Sequence, residues 1–217
     1  MRFVKIMPML LYVLTGVFIS IMSIINYRIL GFNDPITIFT SIVLPLAIYV
    51  GSKRNISFRI NGVTLYINIG GFIVPLVYCL ELFTRMTLLY GTKVVVASML
   101  CLIITFMSLY YSSRYIVGYG IGLPLLLPIV LVSSFTLIFL HLLRIDLIIA
   151  PPFATTIGIL GTIIGVDMVK TIKISLRRRQ SFELGGGGLF DVIVLSGFFS
   201  SHLTLILLII LGYIYKL

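Results

Sequence analysis

Charged residues are scarce in this sequence. Asp, Glu, Lys and Arg make up 10% of 217 residues, and only 6 of them are acidic. A soluble domain needs charge on about a quarter of its residues to clothe its surface. This shortage excludes an ordinary water-soluble fold and leaves lipid as the main solvent. Cysteine is nearly absent: Cys79 and Cys101 both lie inside apolar runs, so neither a disulfide nor a metal framework is implied. No Cys/His cluster has zinc-site spacing. The single glycine run lacks the Lys-Ser/Thr that would complete a nucleotide-binding P-loop. No metal and no cofactor is expected.

Apolar sequence is what the chain has in quantity. Hydrophobic residues are 60% of the total and mean hydropathy is +1.22. A helix needs about 20 apolar residues to cross the bilayer core. Seven segments approach that length, near Pro8–Asn26, Pro35–Gly51, Gly71–Tyr90, Val94–Ser112, Ile121–Leu143, Leu147–Val169 and Leu189–Tyr213. The expected fold is therefore an all-α polytopic membrane protein, a single transmembrane domain over residues 1–217. Arg2 and Lys5 precede the first run, and no small-residue cleavage site follows it, so a retained first helix is expected.

The formal charge of +10 would suggest nucleic acid in a soluble protein. Here the bases sit between apolar runs, as membrane orientation requires, and no nucleic-acid partner is expected. Placing the loop after the sixth segment in the cytoplasm puts Arg2, Lys5, Lys53, Arg54, Arg59, Arg114, Lys170, Lys173, Arg177, Arg178 and Arg179 inside. Only Arg28, Lys93, Arg144 and Lys216 then lie outside, with Arg85 in the membrane. The positive-inside rule selects this orientation in the plasma membrane, N-terminus cytoplasmic and C-terminus outside.

One stretch alternates polar and apolar residues with period two: Ile56 to Ile60, then Asn61-Gly62, then Val63 to Ile67. Asn-Gly suits a type I′ turn, whose two central residues need positive φ. The pattern predicts a cytoplasmic β-hairpin between the second and third helices, packed on helix ends because an isolated hairpin is marginal.

Charge inside a membrane helix costs roughly 2.5–3.5 kcal/mol per residue on insertion scales, so each instance needs a reason. Asp167 lies three residues before Lys170 at the end of the sixth helix, and Asp191 opens the seventh after Gly185 to Gly188. Consecutive antiparallel helices bring both acids to similar depth near the cytoplasmic face. Two close carboxylates cannot both ionise cheaply, so one keeps a proton. One can then activate water while the other donates to a carbonyl oxygen, which is the machinery of peptide hydrolysis. Gly185, Gly186, Gly187 and Gly188 would admit a substrate backbone to Asp191. Gly158, Gly161 and Gly165 give the sixth helix a small-residue face for close packing. A structural reading stands beside this one: Asp191 favours the helix macrodipole, and Asp167 pairs with Lys170 or Lys173. Glu81 and Arg85, four apart on the third helix, have the spacing of an ion pair or a proton or ion path. His202 lies about 16 Å deeper than Asp191 and reads as an interhelical hydrogen-bonding group.

Two stretches, Gly158-Ile-Leu-Gly-Thr-Ile-Ile-Gly-Val-Asp167 and Gly185-Gly-Gly-Gly-Leu-Phe-Asp191, resemble the domain of unknown function 1614 family of prokaryotic membrane proteins. The hairpin followed by Gly70-Gly71 and a helix is similar to that family too. Val166 before Asp167, Gly187 within the run and Val192 after Asp191 depart mildly from its pattern. This resemblance implies architecture and assigns no activity. A weaker resemblance is to presenilin-type intramembrane aspartyl proteases, in which one aspartate ends a helix and the next helix carries Gly-x-Gly-Asp. Here Leu189 and Phe190 intervene before Asp191, and only Pro124 and Pro128 offer a counterpart to the family's proline-alanine-leucine element. It implies an intramembrane diaspartyl protease acting on a transmembrane peptide substrate, with Asp167 and Asp191 catalytic. The alternatives are a transporter or lipid- or ion-binding protein without hydrolytic activity, and a non-catalytic scaffold. The sequence sets no oligomeric state.

Overall fold

A computed structural model describes residues 3–116 and 120–212. Arg2, Tyr213 and Lys216, used above to place spans and orientation, lie outside the described residues. The chain is mostly helical, and among the described residues six helical runs are long and apolar enough to cross a membrane. The first four are α1 (Phe3–Ile29), α2 (Asp34–Gly51), α3 (Val74–Tyr90) and α4 (Thr92–Ser112). A short helix, α5 (Leu126–Leu142), precedes a continuous helical run over Leu147–Arg178 that contains α6 (Ala150–Thr162) and α7 (Ile172–Arg178). The last helix is α8 (Val192–Ile210).

The run through α6 is the centre of the bundle, with most of its residues buried. Small residues let its neighbours approach. A Cβ on Gly158 would stand 2.8 Å from the Ser196 carbonyl of α8, and one on Gly165 would stand 3.2 Å from the Phe106 carbonyl of α4. Backbones at this distance replace the hydrophobic driving force that lipid removes. Polar side chains stitch the interior further. Asn26 of α1 donates to Thr155 of α6 at 2.8 Å and to Tyr78 of α3 at 3.3 Å, and Ser201 of α8 donates back to Asn26 at 3.1 Å.

Between α2 and α3, β1 (Asn55–Ile60) and β2 (Val63–Asn68) form the antiparallel hairpin. Its turn residues have positive φ, 48° at Asn61 and 82° at Gly62. A third strand joins it: β5 (Phe182–Leu184) pairs parallel to β2, with Leu65 opposite Phe182 and Ile67 opposite Leu184. A separate small ribbon, β3 (Arg114–Ile116) with β4 (Gly120–Gly122), follows α4. Tyr115 of that ribbon donates to Gln180 beside β5 at 3.2 Å, so all three connections meet at one end of the bundle.

Three sequence expectations are corrected. The fifth helix starts at Leu126 and not near Ile121, because Gly120–Gly122 is drawn into the β3–β4 pairing. The sixth does not end at Val169; helical structure continues to Arg178, as no Gly or Pro interrupts it, and stops where Arg179 turns left-handed at φ 53°. From Ile163 to Thr171 that run is wound wide, as a π-helix, with Asp167 in its middle. The eighth element begins at Val192, so Asp191 stands at the helix mouth as its N-cap and not inside it.

Candidate functional site

The wide turn and the helix mouth each supply one carboxyl. Asp167 Oδ2 accepts a hydrogen bond from the Gly185 amide at 3.0 Å. Asp191 Oδ1 accepts from the Ile193 amide at 2.9 Å, the ordinary N-cap bond, and its Oδ2 accepts from the Gly187 amide at 2.9 Å. One short glycine loop is therefore held by both acids, two residues apart along the chain. The two side chains also line one cavity of about 780 Å³, which is open to the outside.

The glycine loop is placed by backbone contact. A Cβ on Gly71 would strike the carbonyl oxygen of Gly185, and one on Gly185, where φ is 72°, would meet the Phe72 nitrogen at 2.7 Å. Only glycine permits that crossing between the start of α3 and the loop. Gly185, Gly186 and Gly187 line the cavity. Gly188 does not share that role: with φ of 57° it turns its α-carbon towards Ser52, 2.7 Å from where a Cβ would lie. Phe190 packs edge-on against Tyr12 of α1, ring centroids 4.6 Å apart, fixing the far end of the loop.

A third acid, absent from the sequence expectations, lines the same cavity. Glu183 of β5 accepts from Asn68 Nδ2 at 3.2 Å, and that amide also donates to the Ser52 carbonyl and to Asn55, each at 2.9 Å. Asn68 Oδ1 in turn accepts from the Gly71 amide at 2.8 Å. Thus one buried side chain ties the end of α2, the hairpin, the start of α3 and the cavity strand together. Burial pushes the Asp191 carboxyl above the usual carboxylate range, its two amide bonds pull it down, and the Glu183 charge adds to the rise. Tyr115 and Gln180 complete the wall facing β5. The period-two pattern of Ser181 to Leu184 after the basic run was the one sequence signal for this wall, and it is only one strand of three residues.

The other singled-out residues are not brought to this cavity. Glu81 and Arg85 do not form the expected pair. Glu81 Oε2 accepts from Tyr27 of α1 at 2.7 Å, while Arg85 Nε donates to the Leu30 carbonyl at 3.2 Å and its guanidinium lies over Phe32. Among the described residues the one close ion pair is Arg28–Asp34, 3.1 Å, on the exposed turn between α1 and α2. His202 packs edge-on to Phe18. Lys170 donates to the Tyr110 and Ser113 carbonyls at the end of α4, and Lys173 to the Tyr110 hydroxyl, so neither lysine pairs with Asp167.

No curated protein and no solved structure matches the chain. A family model does match, over residues 17–203, and it takes in the hairpin, the wide turn, the glycine loop and both aspartates. The chain belongs to the family described as a protein of unknown function, DUF1614.

Proposed function

We propose that this protein is an intramembrane diaspartyl protease that cleaves membrane-embedded peptides. The observation that carries the reading is that Asp167 and Asp191, from consecutive helices, line one cavity with a glycine loop between them. In the reaction, the ionised carboxylate takes a proton from water as its oxygen attacks the peptide carbonyl. The protonated carboxyl donates to the carbonyl oxygen, giving a tetrahedral diol. Collapse breaks the C–N bond, the nitrogen leaves with a proton from the carboxyl pair, and a new acid and amine result. Gly186 and Gly187, whose Cβ positions lie towards Glu183 and Asp191, keep side chains of their own away from an extended substrate beside the acids. The outer edge of β5, three residues long, offers amides and carbonyls to a peptide docking as an added strand.

The reading includes orientation. In this reading the chain crosses the plasma membrane seven times, and the support for α5 as a crossing is that β3–β4 and β5 meet at one end, with α5 leaving that end and α6 returning to it. The 17 residues of α5 extend about 25 Å, close to the bilayer core. The end carrying the sheet, with Lys53, Arg54, Arg59 and Arg114, is cytoplasmic by the positive-inside rule, as is the N-terminus, and the C-terminus is outside.

One observation favours the competing reading, a transporter or lipid- or ion-binding protein without hydrolytic activity. The carboxylate oxygens named above already accept loop amides, as purely structural acids would. Reconstitution in liposomes with a fluorogenic transmembrane peptide separates the two. Cleavage lost in both Asp167→Ala and Asp191→Ala, with folded protein in each, is expected. Full cleavage in either single variant ends the protease reading, and ion flux that responds to Glu81→Gln would replace it.

A further inference from the structure

Four cations crowd the stretch from Lys170 to Arg178, and they divide into two kinds. Lys170 and Lys173 are occupied, closing the carbonyl end of α4 and bonding Tyr110. Arg177 and Arg178, in the last turn of α7, have neither a carboxylate partner nor a side-chain hydrogen bond among the described residues. They line a small cavity of about 420 Å³ whose remaining walls are Ile174 and Tyr115. The Arg178 guanidinium lies 4.2 Å from the centre of the Tyr115 ring, which orients it without using its N–H donors. Two guanidinium groups with ten N–H donors between them, both lining one hollow that has no carboxylate among its described lining residues, match the oxygens of a phosphate. An isoleucine and a tyrosine face beside them match the glycerol and the first methylenes of a lipid.

We propose that Arg177, Arg178, Tyr115 and Ile174 form a binding site for the phosphate headgroup of an anionic phospholipid. The site is separate from the aspartates and stands whether or not they hydrolyse peptides. α7 continues the central span past Asp167, so the arginines emerge where that span leaves the apolar layer, at the depth of lipid phosphates. Arg179, next in sequence, turns away at left-handed φ and is no part of the hollow.

The test is lipid retention by the full chain, read by native mass spectrometry after extraction from nanodiscs of phosphatidylcholine with phosphatidylglycerol. Wild type should retain phosphatidylglycerol preferentially. Arg177→Gln/Arg178→Gln should weaken that retention by about thirtyfold, equivalent to about 1 kcal/mol per arginine at an anionic surface. Arg179→Gln, which removes one neighbouring surface charge, should change it by no more than about fivefold. Equal retention of the two lipids by wild type would overturn the proposal. So would a loss in Arg179→Gln matching that of the double variant, which would mean general surface charge. Saturation by inorganic phosphate in solution, with no preference among bilayers, would overturn the lipid assignment as well.

Discussion

The crossing of Gly71 and Gly185 can be broken with single methyl groups whose effects are separable. Three glycines make the comparison. Gly62 has φ of 82° and open space around its Cβ position, so Gly62→Ala carries only the left-handed conformational penalty, about 1–2 kcal/mol. Gly71 has no such φ, but its new methyl would overlap the Gly185 carbonyl oxygen. A backbone atom has no rotamer in which to retreat, so Gly71→Ala should cost about 1–3 kcal/mol as overpacking. Gly185 carries both burdens, φ of 72° and the Phe72 nitrogen at 2.7 Å, and Gly185→Ala should cost about 2–5 kcal/mol. Reversible unfolding in mixed micelles with increasing SDS measures all three. The expected order is Gly185→Ala worst, with Gly71→Ala and Gly62→Ala smaller. If Gly71→Ala proves neutral, the loop does not cross α3 backbone on backbone, and the account of how the cavity is held fails with it.

Further outcomes follow from named contacts. Tyr27→Phe removes the phenol that donates to Glu81 and should destabilise by about 1–3 kcal/mol, whereas Glu81→Gln keeps an acceptor and should cost less; thermal melts of the two in detergent decide it. Asp191→Ala loses the cap to Ile193 and the bond to Gly187 and should cost about 1–2 kcal/mol, with amide hydrogen exchange rising first at the start of α8. Because the Asp191 carboxyl is held above its ordinary range, its contribution is fullest when it is protonated and declines as pH rises through the raised value. Asp191→Asn should therefore flatten the fall of stability as pH rises above the usual carboxylate range, measured as unfolding midpoint against pH.

The hairpin was legible because its turn demands a backbone that Asn-Gly supplies and because its strands alternate. The meeting of Asp167 and Asp191 in one cavity was legible from connectivity, since consecutive helices joined by a modest segment share an end. The strand β5 was not legible: the alternation of Ser181 to Leu184 is too short to stand apart from chance, and these residues become a strand only by pairing with β2, far away in sequence. Glu183 entered the cavity with that strand and was missed for the same reason. Spacing suggested Glu81–Arg85, but spacing states only what neighbours on one helix can do. In the folded bundle a phenol from α1 and a carbonyl at its end compete for the same two side chains, and they win. The boundary errors at α5 and α7 have a common cause, in that hydropathy marks where lipid ends and not where helical hydrogen bonding ends.

The slackened winding between Ile163 and Thr171 bears on how one span serves two duties. Above it, Gly158 must face α8 and Gly161 must face α4; within it, Asp167 must look into an open hollow. A uniform screw fixes the angle between those positions by counting residues alone. Loosening the thread makes the lower half lag behind the upper, so the angle becomes adjustable without adding or removing a loop. Packing and chemistry can then be tuned on the same rod almost independently, the first by small residues on the tight part and the second by how far the thread is let out.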